Sequence, residues 1–321
     1  MTPMTAWILT DGRAGMRGPA LGLAEATGLS ITEKQVVPAK PWVWLPTWFW
    51  SPGVSGLGRG SDPVGPPYPD LLISCGRRAV GPARWLRTRS GRQIFAVHIL
   101  RPYVDTADFD LVIAPAHDHL SGPNVLSVTG SLNRVTPARL AEAADRFAGS
   151  LAHLPHPRVA VLIGGPNRVY RLDNAAIDRL ADGLRALVRD HGASLAITAS
   201  RRTGPAMMAR LRDRLQDAHA YIWDGAGDNP YFGLLGLADA IVVTGDSVNM
   251  ISEACTTGKP VYVFELEGGG GSKFAAFHEE IYARGLARPF DGAFPAWQPE
   301  PLHETERAAR IVLEKLATRG N

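Results

Sequence analysis

Cysteine is scarce in this chain, and long apolar runs are absent. Cys75 and Cys255 are the only two cysteines among 321 residues, so neither a disulfide framework nor a cysteine-based zinc cluster is available. No apolar stretch approaches the roughly 18 residues of a membrane-spanning helix, and residues 1–25 contain no charged-then-apolar leader. We therefore expect a cytoplasmic protein that does not cross a membrane.

Several catalytic and nucleic-acid signatures are also missing. The opening glycine loop lacks the G-x-G-x-x-G spacing of dinucleotide-binding proteins. None of the seven tyrosines precedes a lysine by four residues, which excludes a nucleotide-sugar epimerase or reductase of the Tyr-x-x-x-Lys type. Without zinc-finger spacing or an aromatic RNA-binding signature, we expect no nucleic-acid partner. Asp108-Phe-Asp110 has the D-x-D form of a metal site but runs straight into a buried strand, so we predict no metal.

The overall composition and length of the chain are typical of a globular protein with two domains. Hydrophobic residues make up 45% and charged residues 20% of the chain, values that allow well-packed cores. The length of 321 residues suits two domains of about 150 residues each. Six arginines between Arg77 and Arg92, with no acid among them, would attract anions. A solvated helix face is the simpler interpretation of that cluster.

Strand and helix patterns alternate through both halves of the chain, which predicts an α/β fold with two doubly wound, Rossmann-like parallel sheets. The alternation restarts after the Leu154–Pro157 break. We therefore place a first domain at 1–153 and a second at 154–302, followed by a final helix at 303–321. Residues 38–69 interrupt the first domain with eight prolines.

The segment Ile241–Phe264 predicts a buried strand, a tight turn, a helix and a second buried strand. Either Asp246 or Ser247 is suited to cap the helix. A helix N-terminus at the carboxyl end of a strand offers free backbone N–H groups to a phosphate. Asp246 and Glu253 share one helix face, so Glu253 is placed to accept hydrogen bonds from ribose hydroxyls. An ordinary capped helix in a βαβ unit explains the pattern equally well.

Two further strands of the second half end in polar loops. Because parallel strands end at one edge of a sheet, we expect these loops to join the first one in a nucleotide-binding site. Glycines would admit a phosphate there, and arginines would pair with it. The predicted site consists of Gly164, Gly165, Asn167, Arg168, Ser200, Arg201, Arg202, Thr244, Gly245, Asp246, Ser247, Asn249 and Glu253.

The Trp42–Trp50 cluster contains four tryptophans and a phenylalanine in nine residues. Tryptophan favours the interface between a bilayer and water, and Pro41 and Pro46 argue against a long regular helix. A short hydrophobic element on an anionic membrane surface, aided by nearby arginines, is one interpretation. The other is that these aromatic side chains fold inward and close the core of the first domain.

Several motifs together resemble the ELM-type mitochondrial fission family across nearly the whole chain. They are Thr10-Asp-Gly-Arg-Ala-Gly15, Pro69–Arg78, His98-Ile-Leu-Arg-Pro102, Thr129–Leu132, Ile163-Gly-Gly165 and Thr244–Glu253. Bacterial members of that family are grouped with glycosyltransferases, and the plant member recruits a dynamin-like protein to mitochondria. Residues 241–264 also resemble the donor site of GT-B transferases such as the lipid-linked GlcNAc transferase of peptidoglycan synthesis. There, the glutamate aligned with Glu253 holds the ribose.

The resemblance implies a GT-B architecture, in which two doubly wound domains face a cleft and the final helix returns to the first domain. It also implies transfer of a sugar from a nucleotide-sugar to a glycolipid or cell-envelope acceptor, with no separate cofactor. Asp11, at the end of the first strand, is our first choice for the catalytic base, and His98 and His119 are the reserves. The alternative is a non-catalytic adaptor that kept the fold and recruits a partner protein. A peripheral position on the cytoplasmic face of a membrane would suit either role.

Overall fold

The structure of the protein is a computed structural model that describes residues 3–49 and 56–319. Trp50, which belongs to the predicted tryptophan cluster, and the last two residues of the predicted final helix lie outside the described residues. The chain forms two compact units. Unit 1 contains the residues up to Arg134 and those from His303 onward, and unit 2 runs from Val135 to Leu302.

Unit 1 is built on a six-stranded parallel sheet with the strand order β2-β1-β3-β4-β5-β6. Its strands are β1 (Thr5–Thr10), β2 (Ser30–Gln35), β3 (Leu71–Cys75), β4 (Phe95–Ile99), β5 (Leu111–Pro115) and β6 (Val125–Val128). The three central strands β3, β4 and β5 are buried at every position. A parallel strand covered on both faces needs continuous apolar residues rather than alternating ones, which explains the sequence Leu71-Leu-Ile-Ser-Cys75.

Three helices cover this sheet: α1 (Ala14–Thr27), α2 (Arg77–Arg89) and α9 (Glu304–Arg319). One core lies between the sheet and the pair α1 and α9, with Leu23 and Val312 among its buried residues. The second core lies under α2 on the opposite face. The chain therefore returns from unit 2 to complete unit 1, and the final helix packs on the first domain, as the GT-B resemblance implied.

Unit 2 repeats the design with the strand order β12-β11-β10-β7-β8-β9, again parallel throughout. Its strands are β7 (Arg158–Ile163), β8 (Ser194–Ala199), β9 (Ala220–Ile222), β10 (Ala240–Thr244), β11 (Val261–Phe264) and β12 (Arg288–Pro289). Its helices are α3 (Pro137–Leu151), α4 (Asn174–His191), α5 (Pro205–Arg214), α6 (Tyr231–Leu237), α7 (Val248–Thr256) and α8 (Lys273–Ala283). Two buried cores, one on each face of the sheet, make this unit doubly wound as well.

Helix α3 belongs to unit 2, so the predicted domain boundary after residue 153 is about twenty residues too late. The reason is a close contact between α3 and α6. A Cβ atom on Gly236 would lie 2.6 Å from the carbonyl oxygen of Leu140, and one on Gly233 would lie 2.6 Å from the ring of Phe147. The two glycines let the helices approach, and this contact is not visible in the sequence of α3.

Two helices of unit 1 contain a proline in their interiors. Helix α1 begins at Ala14 and contains Pro19, and helix α2 begins at Arg77 and contains Pro82. Among the described residues, no helix has both the length and the apolar character that crossing a membrane would require.

A matched pair of substitutions in α1 tests the packing of unit 1. A Cβ atom on Gly22 would lie 2.1 Å from the carbonyl oxygen of Asn133, whereas one on Gly18 would have no neighbour within 4 Å. We expect Gly22→Ala to lower the free energy of unfolding by about 2–3 kcal/mol, because the backbone of residue 133 must move. Gly18→Ala should raise it by about 0.5–1 kcal/mol through helix propensity. Urea denaturation of both variants measures the difference, and equal effects would contradict the packing.

Candidate functional site

The loops after β7, β8 and β10 meet at the carboxyl edge of the sheet of unit 2, as the sequence predicted. The side chain of Asp246 joins them. Its carboxylate is fully buried and accepts hydrogen bonds from the Thr244 hydroxyl at 2.7 Å, the Gly165 N–H at 3.0 Å and the Arg202 guanidinium at 3.0 Å. We call these four residues the Asp246 network. A buried carboxylate is tolerated only when donors surround it, and here three loops supply them.

The two glycines after β7 serve this network, and their amides do not point to open space. The Gly164 N–H donates to the Thr244 hydroxyl at 2.8 Å, and the Gly165 N–H donates to Asp246. A Cβ atom on Gly164 would lie 2.0 Å from an Asp246 oxygen, and one on Gly165 would lie 2.5 Å from the backbone of Arg202. The prediction that these glycines admit a phosphate is therefore wrong for this conformation, because protein atoms already occupy the space.

Asn167 and Ser200 shape the neighbouring loops. The Asn167 amide nitrogen donates to the Asp246 carbonyl at 3.2 Å, and its oxygen accepts the N–H groups of Val169 and Tyr170. The Ser200 hydroxyl accepts the Arg202 N–H at 3.2 Å. Both predicted site residues lie at the expected edge, and both are engaged in holding backbone turns.

Helix α7 begins beside the Asp246 network. Of the two candidates for its cap, Ser247 is the one that caps the helix, because its hydroxyl accepts the Met250 N–H at 3.3 Å. Asn249 lies in the first turn. A helix N-terminus carries partial positive charge, and two exposed arginines, Arg168 and Arg201, follow the adjacent strands. Neither arginine side chain has a hydrogen-bond or ion-pair partner among the described residues, so both are available to an anion.

Glu253 lies on α7, below that N-terminus. One of its carboxylate oxygens accepts a hydrogen bond from the Tyr231 hydroxyl at 2.5 Å. Burial raises the pKa of Glu253 to about 7, although the hydrogen bond from Tyr231 opposes that shift. The carboxyl group therefore changes charge near neutral pH. Because the folded-state pKa lies above the value of about 4.3 in an unfolded chain, ionisation of Glu253 lowers stability as the pH rises from about 4.3 to about 7.

A glycine run at the same edge was missed by our reading of the sequence. Gly268–Gly271 follow β11 and precede α8, which Ser272 caps. A Cβ atom on Gly268 would lie 2.1 Å from the carbonyl oxygen of Val169, and one on Gly269 would lie 2.6 Å from the Tyr170 ring. The glycine run therefore packs closely against the loop after β7. Four consecutive glycines, separated by three residues from the predicted strand that ends at Phe264, were the signal that could have identified it.

His278 was also missed, and no local pattern points to it. Its ring stacks on Tyr170 with centroids 6.2 Å apart, and a Cβ atom on Gly245 would lie 2.9 Å from it. Burial lowers its pKa. The glycine between Thr244 and Asp246 is thus explained by space for an imidazole, a contact between residues 33 positions apart in the chain.

Asp11 lies at the carboxyl end of β1 in unit 1, where the sequence placed it. Its side chain is only 2% exposed and pairs with Arg13 at 2.7 Å and with Arg78 at 3.4 Å. The Arg13 side chain is largely exposed. The carboxylate is therefore held in place by one exposed and one partly buried guanidinium.

The two reserve histidines have different surroundings. His98 is fully buried in β4, its Nδ1 lies 2.9 Å from the Ser74 hydroxyl, and burial lowers its pKa to about 3. A base must reach the proton it removes, so we withdraw His98 as a candidate. His119 is exposed and follows β5 by four residues, which keeps it as a reserve.

Two arginines of the cluster form ion pairs with the two carboxylates of the D-x-D motif. Arg84 pairs with Asp108 at 2.7 Å, and Arg87 pairs with Asp110 at 2.8 Å. Both carboxylates of the motif are thus used in ion pairs that join α2 to the segment before β5. Within the described ranges, no group of three potential metal-binding side chains occurs.

The family model of the mitochondrial fission protein ELM1 matches residues 14–316. The chain belongs to the mitochondrial fission ELM1 family. The recognition made from the sequence motifs is therefore confirmed.

Two relatives illustrate the spread of the family. The mitochondrial fission protein ELM1 of Arabidopsis thaliana is 34% identical over 280 residues, which are 78% of this chain and 65% of the plant protein. The chain thus spans slightly less than two thirds of that relative. An uncharacterized protein of Rickettsia prowazekii is 26% identical over 355 aligned positions, covering 96% of this chain and 98% of the relative.

Solved structures with a similar fold include UDP-GlcNAc 2-epimerases. The enzyme of Neisseria meningitidis, solved with UDP-GlcNAc, has a TM-score of 0.53 and 15% identity over 98% of this chain and 100% of that chain. The enzyme of Methanocaldococcus jannaschii, solved with UDP-GlcNAc and UDP, has a TM-score of 0.54 and 13% identity over 97% and 99%. The predicted fold class, two doubly wound Rossmann-like domains of the GT-B type, is confirmed.

Removing the central carboxylate tests the Asp246 network. We expect Asp246→Ala to lower the free energy of unfolding by about 2–4 kcal/mol, since the three protein donors of the network lose their charged acceptor at a buried site. Asp228→Ala is the matched control, because Asp228 pairs with Arg146 on the exposed surface and such pairs contribute at most about 1 kcal/mol. Chemical denaturation measures both variants. Similar losses in the two would show that Asp246 does not hold the loops together.

Proposed function

We propose that the protein is a metal-independent glycosyltransferase that binds a nucleotide-sugar through unit 2. The observation that carries this proposal is the position of Glu253 on α7, below a helix N-terminus flanked by Arg168 and Arg201. A diphosphate is suited to the helix N-terminus, and ribose hydroxyls are suited to a carboxylate one to two turns further along. The similar folds of enzymes that were solved with UDP-GlcNAc support the choice of ligand class.

In this scheme the diphosphate lies outside the Asp246 network, because the amides of Gly164 and Gly165 are already occupied. The N-terminus of α7 and the guanidinium groups of Arg168 and Arg201 stabilise the negative charge of the departing nucleoside diphosphate. Preorganised donors of this kind supply leaving-group stabilisation without a metal ion.

The acceptor side is assigned to unit 1, with a glycolipid or another lipid-linked molecule as the acceptor. Asp11 is the proposed base, since a carboxylate at the end of a parallel strand lies where open α/β sheets bind ligands. Its partner Arg13 is largely exposed and is free to swing away when a hydroxyl group approaches. His119 is the second candidate for that role.

The alternative is a non-catalytic adaptor of the mitochondrial-fission type that recruits a partner protein; the plant relative is named as a mitochondrial fission protein. The Asp246 network favours it in one respect: a buried carboxylate fills the space behind the glycines of β7. The two functions differ in a measurable way, because only the transferase needs to bind a nucleotide.

Nucleotide binding at different pH values tests the transferase. We expect the affinity for UDP or UDP-GlcNAc to rise by up to about tenfold between pH 6 and pH 8, because Glu253 ionises with a pKa of about 7 and its carboxylate accepts the ribose hydroxyls. Glu253→Gln should bind more weakly, by about 1.5–3 kcal/mol at pH 8, and its affinity should not follow this titration. Isothermal titration calorimetry measures both proteins.

Tyr231→Phe is the matched variant in this series. It keeps the aromatic ring but removes the hydrogen bond that lowers the pKa of Glu253, so the pH midpoint of binding should move upward. If the wild-type protein binds no member of a panel of UDP-, GDP-, CMP- and dTDP-sugars, the transferase is rejected and the adaptor is retained.

We also propose that the protein works at a membrane surface, which a lipid-linked acceptor requires. Of the two interpretations of the tryptophan cluster, the structure favours the exposed one: the side chains of Trp44 and Phe49 are 68% and 57% exposed. Lys40 lies over the Trp44 ring at 5.3 Å, and Arg77 donates to the Val43 carbonyl at 2.8 Å. Aromatic tips beside cations suit an anionic bilayer.

Liposome co-sedimentation tests this surface. We expect binding to vesicles that contain anionic lipid, weakening with added salt, and loss of binding when Trp44 and Phe49 are both changed to serine. Met4→Ser is the control, because Met4 is another exposed apolar side chain that lies outside the cluster. Binding that is equally strong to neutral vesicles, or that survives the double substitution, would remove the membrane surface from the proposal.

A further inference from the structure

Unit 1 contains a pocket beside the connections that follow β4 and β5, which carry no α-helix. Its lining residues are far from Asp11 in the sequence. The connections from β4 to β5 and from β5 to β6 contain only short 3₁₀ turns, at Thr106–Asp108 and Ala116–Asp118. A parallel sheet normally has helices on both faces. Here the space next to these connections is a pocket of about 420 Å³. It is lined by Arg101, Pro102, Tyr103, Val104 and Leu120.

The backbone around this pocket is strained. Leu100, Tyr103 and His119 have φ angles of 79°, 57° and 47°. These are three of the four non-glycine residues with left-handed φ among the described residues; the fourth is Arg92, in the turn after α2. Side chains with a Cβ atom rarely adopt this region. Such strain persists only where the surrounding structure imposes it, and it concentrates at ligand sites.

Hydrogen bonds with neighbouring segments hold the backbone around the pocket in this strained conformation. The Leu100 N–H donates to the Ile113 carbonyl of β5 at 2.8 Å, and the His119 N–H donates to the Ala116 carbonyl at 3.0 Å. The carboxylate of Asp105 caps the next turn through the Ala107 N–H at 2.9 Å. The two connections therefore have defined conformations that hydrogen bonds maintain. Tyr103 points outward, and 60% of its surface is exposed.

The lining residues combine one positive charge with an apolar wall. The guanidinium of Arg101 lies 5.8 Å from the Tyr103 ring centre, and one of its nitrogens donates to the Asp118 carbonyl at 3.2 Å. That pairing leaves further N–H donors on the guanidinium, whose planar fork fits phosphate oxygens. Val104 and Leu120 pack against the core under α2 and, with Pro102, form the apolar part of the lining.

We propose that this pocket binds a phosphate-bearing amphiphile, with its phosphate or diphosphate at Arg101 and Tyr103 and its apolar chain along Val104 and Leu120. The volume falls within the usual range of small-molecule sites. Identifying this ligand with the lipid-linked acceptor rests on the proposed glycosyl transfer. The binding itself does not, because every lining residue belongs to unit 1 and the nucleotide is assigned to unit 2.

Calorimetry on the full chain with three probes tests the pocket: geranyl diphosphate, inorganic pyrophosphate and geraniol. We expect geranyl diphosphate to bind, and pyrophosphate and geraniol each to bind at least about tenfold more weakly, since each lacks half of the recognised chemistry. Arg101→Ala should weaken geranyl diphosphate by about 10- to 100-fold. If pyrophosphate binds as tightly as geranyl diphosphate, the pocket is a simple anion site. If geraniol binds as tightly as geranyl diphosphate, the pocket is a simple apolar site. Either result overturns the proposal.

The strained tyrosine provides a second variant with a matched control. Glycine adopts left-handed φ without a Cβ penalty, so Tyr103→Gly should keep or raise the melting temperature while losing geranyl diphosphate binding. Arg92→Gly makes the same backbone change at the strained position outside the pocket lining, and it should leave binding unchanged. If Tyr103→Gly binds like the wild type, the strain does not serve this ligand and the assignment fails.

Nucleotide affinity measured on the same proteins separates the two proposals. Arg101→Ala and Tyr103→Gly should bind nucleotides like the wild type, because neither residue belongs to unit 2. If geranyl diphosphate binds but no nucleotide does, the pocket stands and the glycosyl transfer falls. If nucleotide binds and geranyl diphosphate does not, the pocket alone is rejected.

Discussion

The buried carboxylate of Asp246 is the constraint on which the candidate site depends. A charge removed from water must be surrounded by donors, and each donor it recruits fixes one loop. The Gly165 amide fixes the end of β7, Arg202 fixes the loop after β8, and Thr244 fixes the end of β10. The glycines at these positions follow from the same requirement, because a side chain on Gly164 would collide with the carboxylate. An internal anion therefore holds together the three loops at the edge of the candidate site.

This internal anion also limits where a ligand's charge can lie. A diphosphate cannot use the amides of Gly164 and Gly165 while Thr244 and Asp246 accept their hydrogen bonds, which leaves the N-terminus of α7 and the exposed arginines Arg168 and Arg201 as the favourable position for such a group. In the proposed scheme Glu253 lies on the side of the ribose, with Tyr231 tuning its ionisation near neutral pH. Asp246 is surrounded by protein donors, whereas the proposal assigns the carboxylate of Glu253 to a ligand.

Unit 1 also contains pairs of arginine and carboxylate side chains, and there they hold secondary-structure elements together. Arg87 with Asp110 and Arg84 with Asp108 hold α2 to the segment before β5, so much of the arginine cluster is structural. Two exposed aromatic rings of unit 1 lie beside a cation: Trp44 beside Lys40 on the loop after β2, and Tyr103 beside Arg101 on the connection after β4. Both segments are irregular connections, where a parallel-sheet domain has room to vary without disturbing its core.

The sequence by itself determined the parallel sheets, the turn and helix of Thr244–Glu253, the edge at which the polar loops gather and the family of the chain. These features are local: apolar runs, glycine breaks and capping residues act over one or two turns of chain. Tertiary structure alone decided that α3 packs on α6 and belongs to unit 2, that Gly164 faces Asp246 across 82 positions, that His98 is sealed inside β4 and that Trp44 points outward. Each of these depends on hydrogen bonds and packing between residues far apart in the chain, for which a side chain's identity and its immediate neighbours carry no signal.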